Sequence, residues 1–112
     1  MMEEYMIAEA HCDGPCGVYD PASARIAGEA VQSMTKKMIA LDNPGTENHE
    51  QFIAYLNTMS RYAAIKEEEA QKCKDELLVL WTDFFKPQHL ESNPELHNTF
   101  WQLNKNNVAE HF

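Results

Sequence analysis

Six consecutive residues, His11-Cys12-Asp13-Gly14-Pro15-Cys16, place an imidazole, two thiols and a carboxylate around a turn, with Tyr19 close behind. Thiolate and imidazole are soft or borderline donors, suited to zinc, iron, copper or nickel and poor for magnesium or calcium. Fully extended, the four steps from Cys12 to Cys16 span about 13 Å, so both sulfurs reach one ion only if the chain doubles back. Asp13-Gly14-Pro15 encodes that reversal: Asp hydrogen-bonds its own following backbone, Gly tolerates positive φ, and Pro fixes its own φ. Three side-chain donors are one short of a closed zinc site, and a C-x3-C pair with one histidine also arises by chance. Backbone nitrogen changes the count. If the preceding residues are cut away after Ala10, His11 gains a free α-amine, and amine, imidazole and the Cys12 amide nitrogen come within chelating reach of one ion.

The ten residues in front, MMEEYMIAEA, end in a small-residue Ala-Glu-Ala pattern. They lack the basic start and the longer apolar stretch of a secretory signal, so they are expected to form a short removable leader. The chain of 112 residues then divides into a leader, 1–10, and a single domain, 11–112, with the metal hook at 11–19. Nine basic against 18 acidic side chains, a net charge of -9, argue against a nucleic-acid surface and an anionic membrane. No apolar run approaches the roughly 20 residues needed to span a bilayer. Three cysteines are odd in number and too few for a disulfide framework, which favours a reduced, cytoplasmic setting.

The elements that must carry the hook read as helices throughout. Ala27, Val31, Met34, Met38 and Leu41 recur at steps of four and three, predicting a first helix over Ala22 to Leu41, capped by Asp20 or Ser23 and stopped by Asn43-Pro44-Gly45. Phe52, Leu56, Met59, Ala63, Ala70, Cys73, Leu77, Leu80 and Phe84 keep the same rhythm, with Lys66 the one polar occupant of the stripe. A straight helix from His49 to Phe85 would exceed roughly 50 Å, so a bend or break is expected, and Lys86-Pro87 should end it. A third helix should begin near Asn93, with Pro94 at its first position and Leu96, Phe100 and Leu103 on its apolar face. With no strand alternation, the predicted class is all-α, an antiparallel helical bundle.

HCDGPCGVYDP followed by Ala-Ser-Ala-Arg-Ile resembles the metal hook of the nickel superoxide dismutase family. The likeness continues through Leu-Trp-Thr-Asp-Phe-Phe-Lys-Pro at 80–87 and Pro-Glu-Leu-His at 94–97. The resemblance implies a nickel ion held by the α-amine of His11, the amide nitrogen of Cys12 and the thiolates of Cys12 and Cys16, with the His11 imidazole binding axially in the oxidised state. It implies dismutation of superoxide to oxygen and hydrogen peroxide by Ni(II)/Ni(III) cycling, after a processing peptidase removes the leader. It assigns Asp13 to ordering the hook and Tyr19 to the open axial face, where it helps admit superoxide and its protons. It also implies a four-helix bundle assembling as a homohexamer, whereas this chain stops during or just after its third helix, so a bundle lacking the fourth is expected. Where family members place a glutamate and an arginine to steady the axial imidazole, this sequence has Ala27 and Glu69. Arg25 and Lys86 are the bases near the hook that could offset the net negative charge for an anionic substrate.

The remaining candidates read as structure. Cys73 falls on the helical seam as a small core residue. His49, His89, His97 and His111 have no partner at ligand spacing and suit surface or capping roles. Trp81, Phe84, Phe85 and Trp101 read as core or subunit contacts, and Glu67-Glu68-Glu69 as a solvated face. The rival function is a non-catalytic nickel- or zinc-binding relative, motivated by the missing fourth helix.

Overall fold

The first helix starts where a carboxylate can receive its orphan donors: Asp20 Oδ1 accepts the Ala22 N–H at 2.9 Å, and Ser23 is not used as the cap. In the computed structural model, which describes residues 18–106, this helix, α1, runs Ala22–Ala40. Leu41 turns into extended backbone, Gly45 adopts φ 76°, and the Gly45 N–H closes onto Asn43 Oδ1 at 2.9 Å. The positive φ is the conformation that Gly alone takes without a Cβ penalty.

The second helix, α2, spans His49–Val79, with Asn48 Oδ1 accepting the Gln51 N–H at 3.1 Å. The expected break falls at its far end. Leu80–Phe84 forms a turn of π-helix in which the Phe85 N–H bonds Leu80 O at 3.1 Å. Such widened turns accommodate one extra residue inside a helix. Lys86-Pro87 does end this helix, but it also starts another: α3, Pro87–Ser92, has Pro at a position where the missing N–H costs nothing. The last helix, α4, covers Leu96–Asn106, beginning later than Asn93 because Pro94 and Glu95 are spent in a turn closed by Leu96 N–H to Asn93 O at 3.0 Å.

Packing follows the predicted faces where the helices meet, but Leu56 and Phe84, placed on the α2 stripe, are exposed. Ala24 and Ala27 of α1 meet Cys73, Leu77 and Leu80, and Phe100 of α4 completes the buried cluster. Val31 and Ala70 form a second buried pair. As numbers rise along α1 they fall along α2, so the two long helices are antiparallel. Small residues allow the close approach: a Cβ added at Gly28 would stand 3.8 Å from Cys73 Sγ, ordinary van der Waals contact. Tyr19, Trp81, Phe85, Leu96 and Leu103 pack half-buried around the main cluster. Among the described residues every regular element is helical, and no helix is long and apolar enough to cross a membrane.

The molecule is flat, 61 × 39 × 14 Å, and its radius of gyration is 18.4 Å. A compact domain of about 100 residues would have a radius near 13 Å, and 14 Å of thickness is close to one helix diameter. One layer of helices cannot cover both of its faces, so Ile39, Ile53, Leu56 and Ile65 remain exposed on the long hairpin.

Lys66, the polar occupant of the stripe, is only 2% exposed, and its Nζ lies 3.4 Å from the exposed Glu67 carboxylate. Replacing the buried member of an ion pair by an apolar side chain of similar length leaves no charge stranded inside. Because the Glu67 partner is exposed and stays hydrated, Lys66→Met is expected to leave stability within about 1 kcal/mol of the wild type, read as the shift in urea midpoint. A loss of more than 1 kcal/mol would show that the ammonium is needed where it lies.

Candidate metal centre

His11, Cys12, Asp13 and Cys16 lie outside the described residues, as does His111. Among the described residues, no group of three or more His, Cys, Asp or Glu side chains is placed to hold a metal ion. The dense donor cluster of the hook thus has no competitor in the helical body.

Of the hook, the structure describes Val18 and Tyr19, and Tyr19 is the candidate site residue among them. It is half-buried, packed on the main core cluster, with its ring centroid 5.5 Å from that of Phe84 in a tilted arrangement. It lines an apolar groove of about 840 Å³ together with Ala24, Gly28, Leu77, Leu80 and Phe84. Phe84 is the last residue of the π-turn. Its neighbour Phe85 meets Phe84 edge-on at 5.2 Å and Phe100 edge-on at 5.1 Å, and Trp81 stacks on Phe100 at 5.4 Å. Trp101, by contrast, is exposed, with Lys105 Nζ 5.8 Å from its ring centroid.

The two bases that the sequence offers to an anionic substrate differ. Arg25 bonds Glu29 at 3.0 Å, an exposed pair one helical turn apart, so part of its field is offset locally. Lys86 sits exposed in the link between the π-turn and α3. Ala27 is buried in the core, and Glu69 accepts a charged hydrogen bond from Lys72 at 3.3 Å. Neither side chain is a free acid or base at the positions where the resemblance implies an imidazole support.

The sequence model of the family described as nickel-containing superoxide dismutase matches residues 6–110. The chain belongs to that family. Two nickel superoxide dismutases resemble it over 88 residues, one from Streptomyces seoulensis at 49% identity and one from Streptomyces coelicolor at 48%. These stretches cover 79% of this chain and 58% of each relative, so the chain spans well under two thirds of the relatives' length. A native nickel superoxide dismutase structure at 1.30 Å superposes with a TM-score of 0.71 at 41% identity, covering 88% of this chain and 74% of that one. A second, with nickel ligation corresponding to the oxidised state, gives a TM-score of 0.70 at 43% identity over the same shares. The helical body described above therefore shares the fold of these structures, and the family match spans residues 11–16.

Cys73 stands apart from the donors. It is 2% exposed and donates from Sγ to the Ala24 carbonyl at 3.4 Å, tying α2 to α1. Burial pushes its thiol above the ordinary value of 9.0, because the thiolate loses hydration. A group that holds its proton more tightly when folded stabilises the fold below its unfolded pKa and loses that contribution as pH rises through the folded value. Stability should therefore fall more steeply above pH 9.0 in the wild type than in Cys73→Ala. Urea midpoints of the two proteins between pH 8 and pH 11 check this, and parallel curves would refute it.

Sequence reasoning missed one contributor to this region. The π-turn is silent in the hydrophobic rhythm, since Cys73, Leu77, Leu80 and Phe84 keep the four-three spacing straight through it. The capping role read for the histidines is realised at His89, whose Nδ1 accepts the Lys86 N–H at 2.8 Å and caps α3.

Proposed function

We propose that this chain is a nickel-dependent superoxide dismutase whose site forms when residues 1–10 are removed. The observation that carries the reading is the family match over residues 6–110, which includes His11, Cys12 and Cys16 at the hook spacing. The donor set fits the ion: an amine, an amide nitrogen, an imidazole and two thiolates are electron-rich and soft enough for nickel, and exclude hard cations. His11 would contribute its α-amine and imidazole, Cys12 its amide nitrogen and sulfur, and Cys16 its sulfur. Bound there, nickel would supply a one-electron couple, lowered in potential by thiolate and amide donation, that oxidises one superoxide and reduces the next.

What the chain itself does is hold that donor set deprotonated, ordered and screened. Cys12 and Cys16 must lose their protons to ligate, so metal uptake weakens as pH falls. Asp13 and Pro15 fix the reversal that brings the sulfurs together. Tyr19, anchored on Phe84 and the core, stands next to the hook in sequence with its ring already placed. Superoxide reduction consumes two protons for each peroxide formed, and the Tyr19 hydroxyl is the group we assign to positioning the substrate and its protons. Thiolates facing peroxide oxidise readily, which makes metal occupancy a condition of their survival.

The flat helical layer with its exposed Ile39, Ile53 and Leu56 supports assembly into a homo-oligomer, a hexamer by family resemblance. A cytoplasmic location and a dedicated processing peptidase complete the reading, both from the cysteine usage and the leader.

The test is direct. Protein beginning at His11, loaded with nickel, should remove superoxide catalytically, whereas Cys12→Ser and Cys16→Ser should not. Tight nickel or zinc uptake without turnover in the wild type would replace this reading with that of a non-catalytic metal-binding relative.

A further inference from the structure

We infer that His89 is a positioning residue for Tyr19, acting through Phe84; the inference rests on the reading that Tyr19 serves the metal centre. Three rings form a continuous column. The His89 imidazole stacks on Phe84 with centroids 5.2 Å apart and planes 17° from parallel. Phe84 in turn meets Tyr19 at 5.5 Å. Phe85 closes the column from the side, edge-on to Phe84 at 5.2 Å and to His89 at 5.7 Å.

Each end of this column is fixed by something other than the stacking. His89 Nδ1 accepts the Lys86 N–H at 2.8 Å, which sets the ring's plane and leaves its proton on Nε2. The His89 backbone is bound at both sides, its N–H to Lys86 O at 2.9 Å and its carbonyl to the Asn93 N–H at 2.9 Å. Tyr19 is held by the core cluster. Phe84 alone lacks such anchorage: it is 39% exposed and sits on the last residue of the π-turn. Without a ring on its outer face it can rotate toward solvent, and the face that meets Tyr19 goes with it. The short helix α3, remote from the donors in sequence, thereby sets the aromatic surroundings of Tyr19.

Two substitutions separate the ring from the cap. His89→Asn retains an acceptor for the Lys86 N–H but removes the stacking ring. His89→Phe retains the ring and gives up the acceptor, which matters little because this hydrogen bond is exposed and the N–H can turn to water. Fluorine NMR of the full chain labelled with 3-fluorotyrosine, with the Tyr19 signal assigned through Tyr19→Phe, reads the ring's surroundings without metal or turnover. The Tyr19 signal should move and broaden in His89→Asn and stay near its native position in His89→Phe. In the matured, nickel-loaded enzyme, kcat/KM should fall about two- to tenfold in His89→Asn, the rate equivalent of losing one aromatic pair, and recover in His89→Phe. An unmoved Tyr19 signal in His89→Asn, or an equal shift in both variants, would overturn the inference. A wild type without dismutase activity would defeat the functional reading alone, since the NMR result stands apart from it.

Discussion

Protein that keeps even Ala10 in front of His11 is expected to show no nickel-dependent superoxide removal above the metal-free level. An amide nitrogen bearing Ala10 is neither basic nor free, so the first donor disappears while every side chain stays in place. The loss should exceed the roughly 10–100-fold that removing an outer hydrogen-bond partner of a ligand costs, because a donor itself is removed. The control is protein beginning at His11 from the same preparation, assayed at equal nickel. Mass spectrometry of the N-terminus must accompany the assay, since a contaminating peptidase would erase the difference. Full activity with Ala10 still attached would show that the α-amine is not a ligand and would remove the reason for the leader.

The second large effect concerns the body. Phe100→Ala is expected to destabilise the protein by about 3–5 kcal/mol, a large share of the roughly 5–15 kcal/mol by which small domains are stable. Phe100 is the one buried residue that α4 contributes to the main cluster, and it touches both Trp81 and Phe85. Removing it leaves a hole that a flat, one-layer structure has few neighbours to close. Urea unfolding should show the lower midpoint, and tryptophan emission from Trp81 should shift to the red as α4 loosens. Ile39→Ala, at a residue 71% exposed, should change stability by no more than about 0.5 kcal/mol and serves as the comparison. Equal effects at the two positions would mean that the apolar face around Ile39 is covered in solution.

The long elements were readable because period and punctuation agreed. Ala27 and Val31 lie buried where the four-three rhythm puts them, and the Asn43-Pro44-Gly45 cluster ends α1 at Ala40, one residue short of expectation. Cys73 as a core residue followed from its place on the seam. Less legible was the region from Leu80 to Asn93. A π-turn preserves apolar spacing and so leaves no trace in it. Pro87 carries two meanings, stop and start, and only the following turn of chain decides between them. Lys66 shows the limit of reading polarity as exposure: the long stem reaches along the seam, and the helix keeps it buried at 2%. The hook was legible in chemistry, through residue types and spacing, while its three donor-bearing positions, His11, Cys12 and Cys16, fall outside the described residues.

The π-turn also bears on how this sequence can drift. Leu80–Phe84 is the last turn of its helix, wound wider than an α-turn, and Phe85 already leaves it in extended backbone, so the turn sets where the chain departs toward α3. Upstream, Cys73 and Leu77 look toward α1; downstream, Phe84 and Phe85 look toward Tyr19 and α4. Substitutions within the turn alter fit by the size of one side chain. A single-residue deletion would instead restore ordinary helical winding and swing both phenylalanines, with α3 and α4 behind them, off their partners. Across descendants of this chain, these five positions can vary in kind far more readily than in number.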